Sequence, residues 1–172
     1  MRPACVAQHC SDRTPLLLDL LARSGCRQLL IGFESPRAES LDGLDAANWK
    51  AKRHDRARRA IDEIQSRGIT ANGCFIVGLD QDTPDIFDEV ERFVKSTNLM
   101  EVQVTVLTPF PGTALYRRLK AEGRLLQERY WDRCTLFDVN YVPKRMTVAD
   151  LEQGLESLMR SLYSPEESRR RR

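Results

Sequence analysis

The stretch ITANGCFIV, Ile69 to Val77, followed after Gly78 by LDQDTPDIFDEVERFVK (79–95), decides the fold. The first part is a compact apolar run with the composition of a buried strand. In the second, Thr83 is suited to cap, Pro84 to the first turn, and Asp85 and Asp88 to the positive end of a helix. Ile86, Phe87, Val90, Phe93 and Val94 then recur at helical spacing and make one apolar stripe. A strand running directly into an amphipathic helix is the repeating unit of a parallel α/β fold.

The same unit appears on both sides. Upstream, TPLLLDLLARSG (14–25) predicts a helix stopped at Gly25, and QLLIGF (28–33) a strand buried on both faces. Ala57, Ala60, Ile61 and Ile64 continue with helical spacing to a stop at Gly68. Downstream, EVQVTVL (101–107) predicts a strand, and TPFPGTALYRRLKAEG (108–123) a proline-stiffened loop and a helix from about Thr113 to Gly123. The fold class is therefore α/β: about three parallel strand-helix units of a partial (β/α) barrel, too few to close one.

Past Gly123 the repeat stops. A mixed segment with Tyr130, Trp131, Phe137 and Tyr141 precedes a final helix from about Thr147, whose inner stripe is Val148, Leu151, Leu155, Leu158, Met159 and Leu162. The expected organisation is an irregular N-terminus at 1–13, the partial barrel at 14–124, a C-terminal extension at 125–163 and a disordered basic tail at 164–172.

Composition narrows the function classes. The 172 residues are 41% hydrophobic and 30% charged, enough for one ordinary core. With 27 basic and 25 acidic residues the net charge is +2, so no global field favours nucleic acid or an anionic membrane. The basic run KAKRHDRARR (50–59), which contains His54, reads as a solvated helix face, and with no aromatic interleaving nucleic acid is not expected as a partner. No apolar run approaches the roughly 20 residues that span a bilayer, so no membrane partner and a cytoplasmic location are expected. Cys5, Cys10, Cys26, Cys74 and Cys134 are an odd set without a disulfide framework; Cys5, His9 and Cys10 lie close together but lack the second close pair of a closed metal site.

Parallel sheets collect ligands at the carboxyl ends of their strands. Three segments fall there: GFES (32–35), CFIVGLDQDT (74–83) and LTPFPGT (107–113). Glu34 stands at a strand end where its carboxylate could accept from a ribose or an amino group, or simply be an exposed or capping acid. Gly78 would permit close approach of a ligand or serve a tight turn. Asp80 and Asp82 are explained by the helix that follows them, without a metal. Phe110, stiffened by Pro109 and Pro111, is suited to packing on a flat ring such as adenine, or to plugging a loop core.

Taken in order, SGCRQLLIGFES (24–35), GITANGCFIVGLDQDTPDIFDEV (68–90) and VQVTVLTPFPGTALYRRLKAEGRLL (102–126) resemble consecutive blocks of radical S-adenosylmethionine proteins, in the branch with an N-terminal cobalamin-binding domain. The resemblance covers about residues 14 to 160 and implies strands four to six of a six-stranded radical-SAM-type barrel with a C-terminal helical extension. It implies that Glu34 and Ser35 contact the ribose and amino-acid part of S-adenosylmethionine. Cys74, Ile76 and Gly78 match the fifth-strand motif near adenine, and Leu107, Pro109 and Phe110 the sixth-strand wall. The motif's first glycine is Cys74 here, and its terminal Gly-Glu is Gln81 and Asp82.

The family cofactors are S-adenosylmethionine, an iron-sulfur cluster held by three cysteines spaced by three and then two residues, and cobalamin. This chain has no such triplet and no cobalamin domain. The expectation is a protein inactive alone, with a partner chain supplying the first half of the barrel or self-association through an open sheet edge. The alternative is a non-catalytic remnant or interaction module using that edge.

Overall fold

A computed structural model describes residues 4–6, 14–42 and 56–171. Its centre is a parallel sheet of strands β1 (Ala4–Val6), β2 (Gln28–Glu34), β3 (Thr70–Val77) and β4 (Glu101–Val106), hydrogen-bonded in that order. The helices are α1 (Thr14–Arg23), α2 (Ala57–Gln65), α3 (Ile86–Lys95), α4 (Ala114–Ala121), α5 (Val148–Leu162) and α6 (Pro165–Arg170). Sequential strands that are all parallel and all neighbours, joined through helices, are one sector of a β/α barrel.

The alternation in β3 sets the layers. Ala71, Phe75 and Val77 are fully buried, and their neighbours Asn72, Cys74 and Ile76 only half so. Side chains alternate across a strand, so one face is sealed and the other stays open. The sealed face, with Val102, Val104 and Val106 of β4, packs on Ile61 and Ile64 of α2, Ile86, Val90 and Val94 of α3, and Leu151 and Leu158 of α5. Phe33, Phe75 and Phe93 form an aromatic cluster there, with centroids 5.6 to 6.0 Å apart. Gly154 lets α5 close on α3, since a Cβ there would stand 2.1 Å from the Phe87 ring.

Helix starts are chemically specified in two places the sequence anticipates. The Thr113 hydroxyl accepts from the Tyr116 amide at 3.1 Å and opens α4. Thr147 accepts from the Asp150 amide at 3.0 Å while the Asp150 carboxylate accepts from the Thr147 amide at 2.8 Å, a reciprocal capping box for α5.

Three expectations are corrected. The N-terminal region, expected to be irregular, contributes β1, whose Cys5 is registered against Leu29. The tail expected to be disordered instead forms α6, opened by the Ser164 hydroxyl accepting from the Glu167 amide. Thr83 does not cap α3: the helix starts at Ile86, and the Thr83 hydroxyl is engaged with the Asp85 carboxylate and the Arg37 guanidinium.

The extension also meets one edge of the sheet. Leu107 donates its amide to Val77 of β3, so the backbone groups of alternate residues Val106 and Val102 face away from the sheet. The extension meets both: Leu136 O accepts from Val106 N at 2.8 Å, and the Tyr163 hydroxyl donates to Val102 O. The β4 edge is thus occupied by the chain itself. Of the residues flagged in the sequence, His9, Cys10 and His54, the side chain of Cys5, and most of the basic run at 50–59 lie outside the described part. No helix among the described residues is long and apolar enough to cross a membrane.

Candidate functional site

The site is the open face of the sheet and the loops at the carboxyl ends of β2, β3 and β4. Strand register places Gly32 beside Cys74 and Cys74 beside Gln103, with Ile76 beside Thr105. Toward the opposite end the same face turns polar: the Gln28 amide and Asn72 Nδ2 both donate to the Glu101 carboxylate, the latter at 3.3 Å. Among the described residues the buried Asn72 Oδ1 has no hydrogen-bond partner. An orphaned buried acceptor costs of the order of 1–3 kcal/mol, so Asn72 carries a local penalty at this end of the face.

Glu34 ends β2 under an unusual constraint. The register slips between Gly32 and Glu34, and Glu34 takes φ +65°, alone among the described non-glycine residues. A left-handed backbone costs an L residue roughly 1–2 kcal/mol, so the bulge is held by its surroundings. Burial, and then the Glu34 carboxylate, push the Cys74 thiol up from its ordinary value. The half-buried Cys74 thiol is 3.9 Å from Gln103 Oε1. Glu34, Cys74 and Gln103 are therefore brought to one region from three strands.

Ser35 is buried, and its hydroxyl accepts from the Arg37 amide at 3.1 Å, so it secures its own loop. Arg37 then clamps that loop to α3, donating to Glu89 at 3.0 and 2.7 Å and to Asp85 at 2.9 Å. The Glu89 bond, then Asp85, raise the Arg37 guanidinium further against burial. Gly78, at φ +87°, is filled from the helical side: a Cβ there would lie 2.2 Å from Tyr141 Oη and 2.9 Å from Leu151. Its missing side chain makes room for Tyr141, so of the two roles open to it the tight structural one is used. Leu107 is half-buried against the core, Pro109 is buried with its carbonyl accepting from the Tyr130 hydroxyl, and Phe110 is exposed at the loop tip.

The acids before α3 do not act as its caps. Asp82, fully buried, accepts from the amides of Gly78 and Leu79, each at 2.9 Å, and from the Ser40 hydroxyl at 2.6 Å. It joins the β3 turn to the short 3-10 turn Ala38–Leu41 after β2, and burial pushes its carboxyl up. Asp80 instead meets Arg118, Arg124 and Lys144. Burial alone would raise its carboxyl, but these three cations bring it down to about 2.

Sequence reasoning missed Asn72, Gln103, Arg37 and Tyr141. The first two carried a signal, since Asn72 sits two positions before Cys74 in the period-two pattern and Gln103 interrupts an apolar strand. Arg37 and Tyr141 carried none, because their partners are 52 and 63 residues away. Among the described residues no group of three His, Cys, Asp or Glu side chains could hold a metal ion. The described thiols Cys26, Cys74 and Cys134 thus do not fit an iron-sulfur cluster. The open face, with its orphaned acceptor and strained carboxylate, does suit a polar organic ligand such as S-adenosylmethionine.

Residues 113–172 match the family described as a domain of unknown function, DUF4070. Over 149 residues the chain is 26% identical to the bacteriochlorophyllide d C-12(1)-methyltransferase of Chlorobaculum tepidum, covering 87% of this chain and 31% of that protein. It is 24% identical to the bacteriochlorophyllide d C-8(2)-methyltransferase of the same organism, covering 88% of this chain and 35% of the relative. It is also 27% identical to the hopanoid C-2 methylase of Rhodopseudomonas palustris, covering 73% and 23%. The chain spans about a third or less of the length of such relatives. These matches bear out the resemblance drawn from the sequence blocks.

Proposed function

We propose that this chain, a relative of the cobalamin-binding branch of radical S-adenosylmethionine proteins, supplies the later half of a methyltransferase barrel, including part of the S-adenosylmethionine site. The observation that carries the reading is Glu34, held at φ +65° where β2 ends and beside the open face that Cys74 lines. Backbone strain of this kind persists where a side chain has to be aimed. When bound, S-adenosylmethionine supplies the transferable methyl group and, in this family, the source of a radical. The Glu34 carboxylate accepts hydrogen bonds from its hydroxyl or amino groups, Ile76 gives an apolar wall, and the Arg37 clamp and the Ser35 hydroxyl keep the Glu34 loop in place. Cluster and cobalamin are provided outside these 172 residues, in the rest of the barrel or by a partner chain, so the chain by itself is inactive. The methyl acceptor is a large, mostly apolar molecule, as it is for the bacteriochlorophyllide and hopanoid methylating relatives.

Equilibrium binding of methyl-labelled S-adenosylmethionine to the chain and to Glu34→Gln tests this. Saturable binding weakened about tenfold in the variant is expected, one charge-assisted hydrogen bond being worth roughly 1.5 kcal/mol. Equal binding by both proteins would remove Glu34 from the site.

A second reading has its own observation. Leu16, Leu17 and Leu20 of α1 are all exposed, a strip of apolar side chains suited to a second protein surface. A non-catalytic interaction module would bind through α1 and the open face, not through the β4 edge. Such a module would associate in solution and take up no S-adenosylmethionine.

A further inference from the structure

Glu34 is the centre of a three-residue turn: across it the Ser35 amide donates to Phe33 O at 2.9 Å. With φ +65° at its centre such a turn is rare and strained, and it relaxes unless the chain on both sides is tied down. On the upstream side the tie is the β2 ladder. Downstream two long-range ties hold the loop, and they differ in kind.

The first is the Arg37 clamp on Asp85 and Glu89, whose side chains are 61% and 27% exposed. Solvent screens such pairs, and each is worth little. The second tie is buried. Leu41 anchors the 3-10 turn Ala38–Leu41 in the interior, and beside it the Ser40 hydroxyl donates to Asp82 Oδ1 at 2.6 Å, with Ser40 4% exposed and Asp82 0%. A hydroxyl bonded to a buried carboxylate is charge-assisted, and deleting it strands an acceptor that water does not reach. The other oxygen of the same carboxylate, Oδ2, accepts from the Gly78 and Leu79 amides. One side chain thus joins the loop after β2 to the turn after β3, the strand that carries Cys74.

We propose that Asp82, acting through Ser40, is the positioning residue for Glu34: it fixes the β2 loop against the end of β3 and so keeps the Glu34 carboxylate beside Cys74. The inference rests on the S-adenosylmethionine reading only for what Glu34 is positioned to bind. Its first readout is the Cys74 thiol, which feels the Glu34 carboxylate and needs no ligand.

Alkylation of Cys74 in the full chain is followed against pH by peptide mass spectrometry, with the buried Cys26 as the internal measure of general loosening. Ser40→Ala changes no charge and leaves both turn amides on Asp82. It should nevertheless shift the Cys74 titration to lower pH, as Glu34→Gln does, and the two combined should go no further than Glu34→Gln alone. Asp82→Ala should act like Ser40→Ala. Asp82→Asn, which can still accept from the amides and donate to Ser40, should restore most of the parent behaviour. Thr147→Ala, which removes the α5 cap and costs stability far along the chain from this loop, should leave the titration where it was. Methyl-labelled S-adenosylmethionine should bind Ser40→Ala about fivefold more weakly than the parent, the scale of one hydrogen bond.

A parent-like Cys74 titration in Ser40→Ala, or an equal shift in Thr147→Ala, would overturn the proposal. So would indifference of Cys74 to Glu34→Gln, because the loop would then not hold Glu34 beside that thiol. Ligand binding weakened by Glu34→Gln but not by Ser40→Ala would overturn it as well. A shifted titration with S-adenosylmethionine binding unchanged in every variant would support the positioning and count against the reading of Glu34 alone.

Discussion

The hydroxyl of Tyr141 donates to the carbonyl of Gly78 at 2.6 Å, joining the C-terminal extension to the end of β3 across 63 residues of sequence. Tyr141 is fully buried, and burial pushes its hydroxyl well above the ordinary phenol value. It therefore stays a donor over the whole working pH range. The extension is built into the sheet's ligand end at this point.

Tyr141→Phe should lower unfolding free energy by about 1–2 kcal/mol, the cost of leaving one buried carbonyl unpaired. Gly78→Ala should cost more, about 3 kcal/mol or more, because it adds backbone strain at φ +87° to a clash with Tyr141 Oη. Denaturant midpoints measure both. An alanine variant no less stable than the phenylalanine one would show that the contact yields easily.

Glu34→Gly and Glu34→Ala both remove the carboxylate, but only glycine relieves the left-handed backbone. The glycine variant should be the more stable of the two by about 1 kcal/mol in urea unfolding. The reverse order would mean that the strained conformation is absent in solution.

The pair Asp80 and Asp82 should respond to pH in opposite senses. The Asp80 carboxyl is depressed in the folded state to about 2, so its contribution is present above the ordinary carboxylate range and lost as pH falls toward 2. The Asp82 carboxyl is raised by burial, so its contribution is present at low pH and lost as pH rises through the raised value. Relative to the parent, Asp80→Asn should flatten the acid loss of stability, and Asp82→Asn should flatten the loss on the higher-pH side. Melting temperatures across pH 2 to 7 would reveal either, and parallel curves would contradict both.

Cys74 offers a chemical reporter on Glu34. Because burial and then the Glu34 carboxylate both disfavour its thiolate, Glu34→Gln should lower the thiol's pKa. Alkylation of Cys74 at mildly alkaline pH, followed by peptide mass spectrometry, should speed up in that variant while Cys26 is unaffected. An unchanged rate would separate the two groups.

Much of the fold was written locally. The apolar stripe of α3, the caps at Thr113 and Thr147, and the alternation in β3 are properties of neighbouring residues, so periodicity and capping chemistry specify them before any tertiary contact forms. The order of blocks likewise carried the resemblance, since three strand-end segments had to recur in sequence. What periodicity could not carry was β1, whose three residues are too short to show a pattern, and α6, whose polar sequence gains order only at the end of α5.

The site itself was legible as a place more than as a mechanism. Glu34 could be located at a strand end from QLLIGFE alone, but nothing in that run implies a left-handed glutamate; the slip against β3 imposes it. Asp80 and Asp82 looked alike as acids ahead of a helix. Only the tertiary structure separated them, by setting one among three cations and burying the other under Ser40 and two amides. Strand and helix faces depend on residues a few positions apart, and so the sequence determined them by itself. Which polar groups meet, which edge is closed and which aromatic rings stay exposed depend on contacts between distant segments, and only the folded chain decided those.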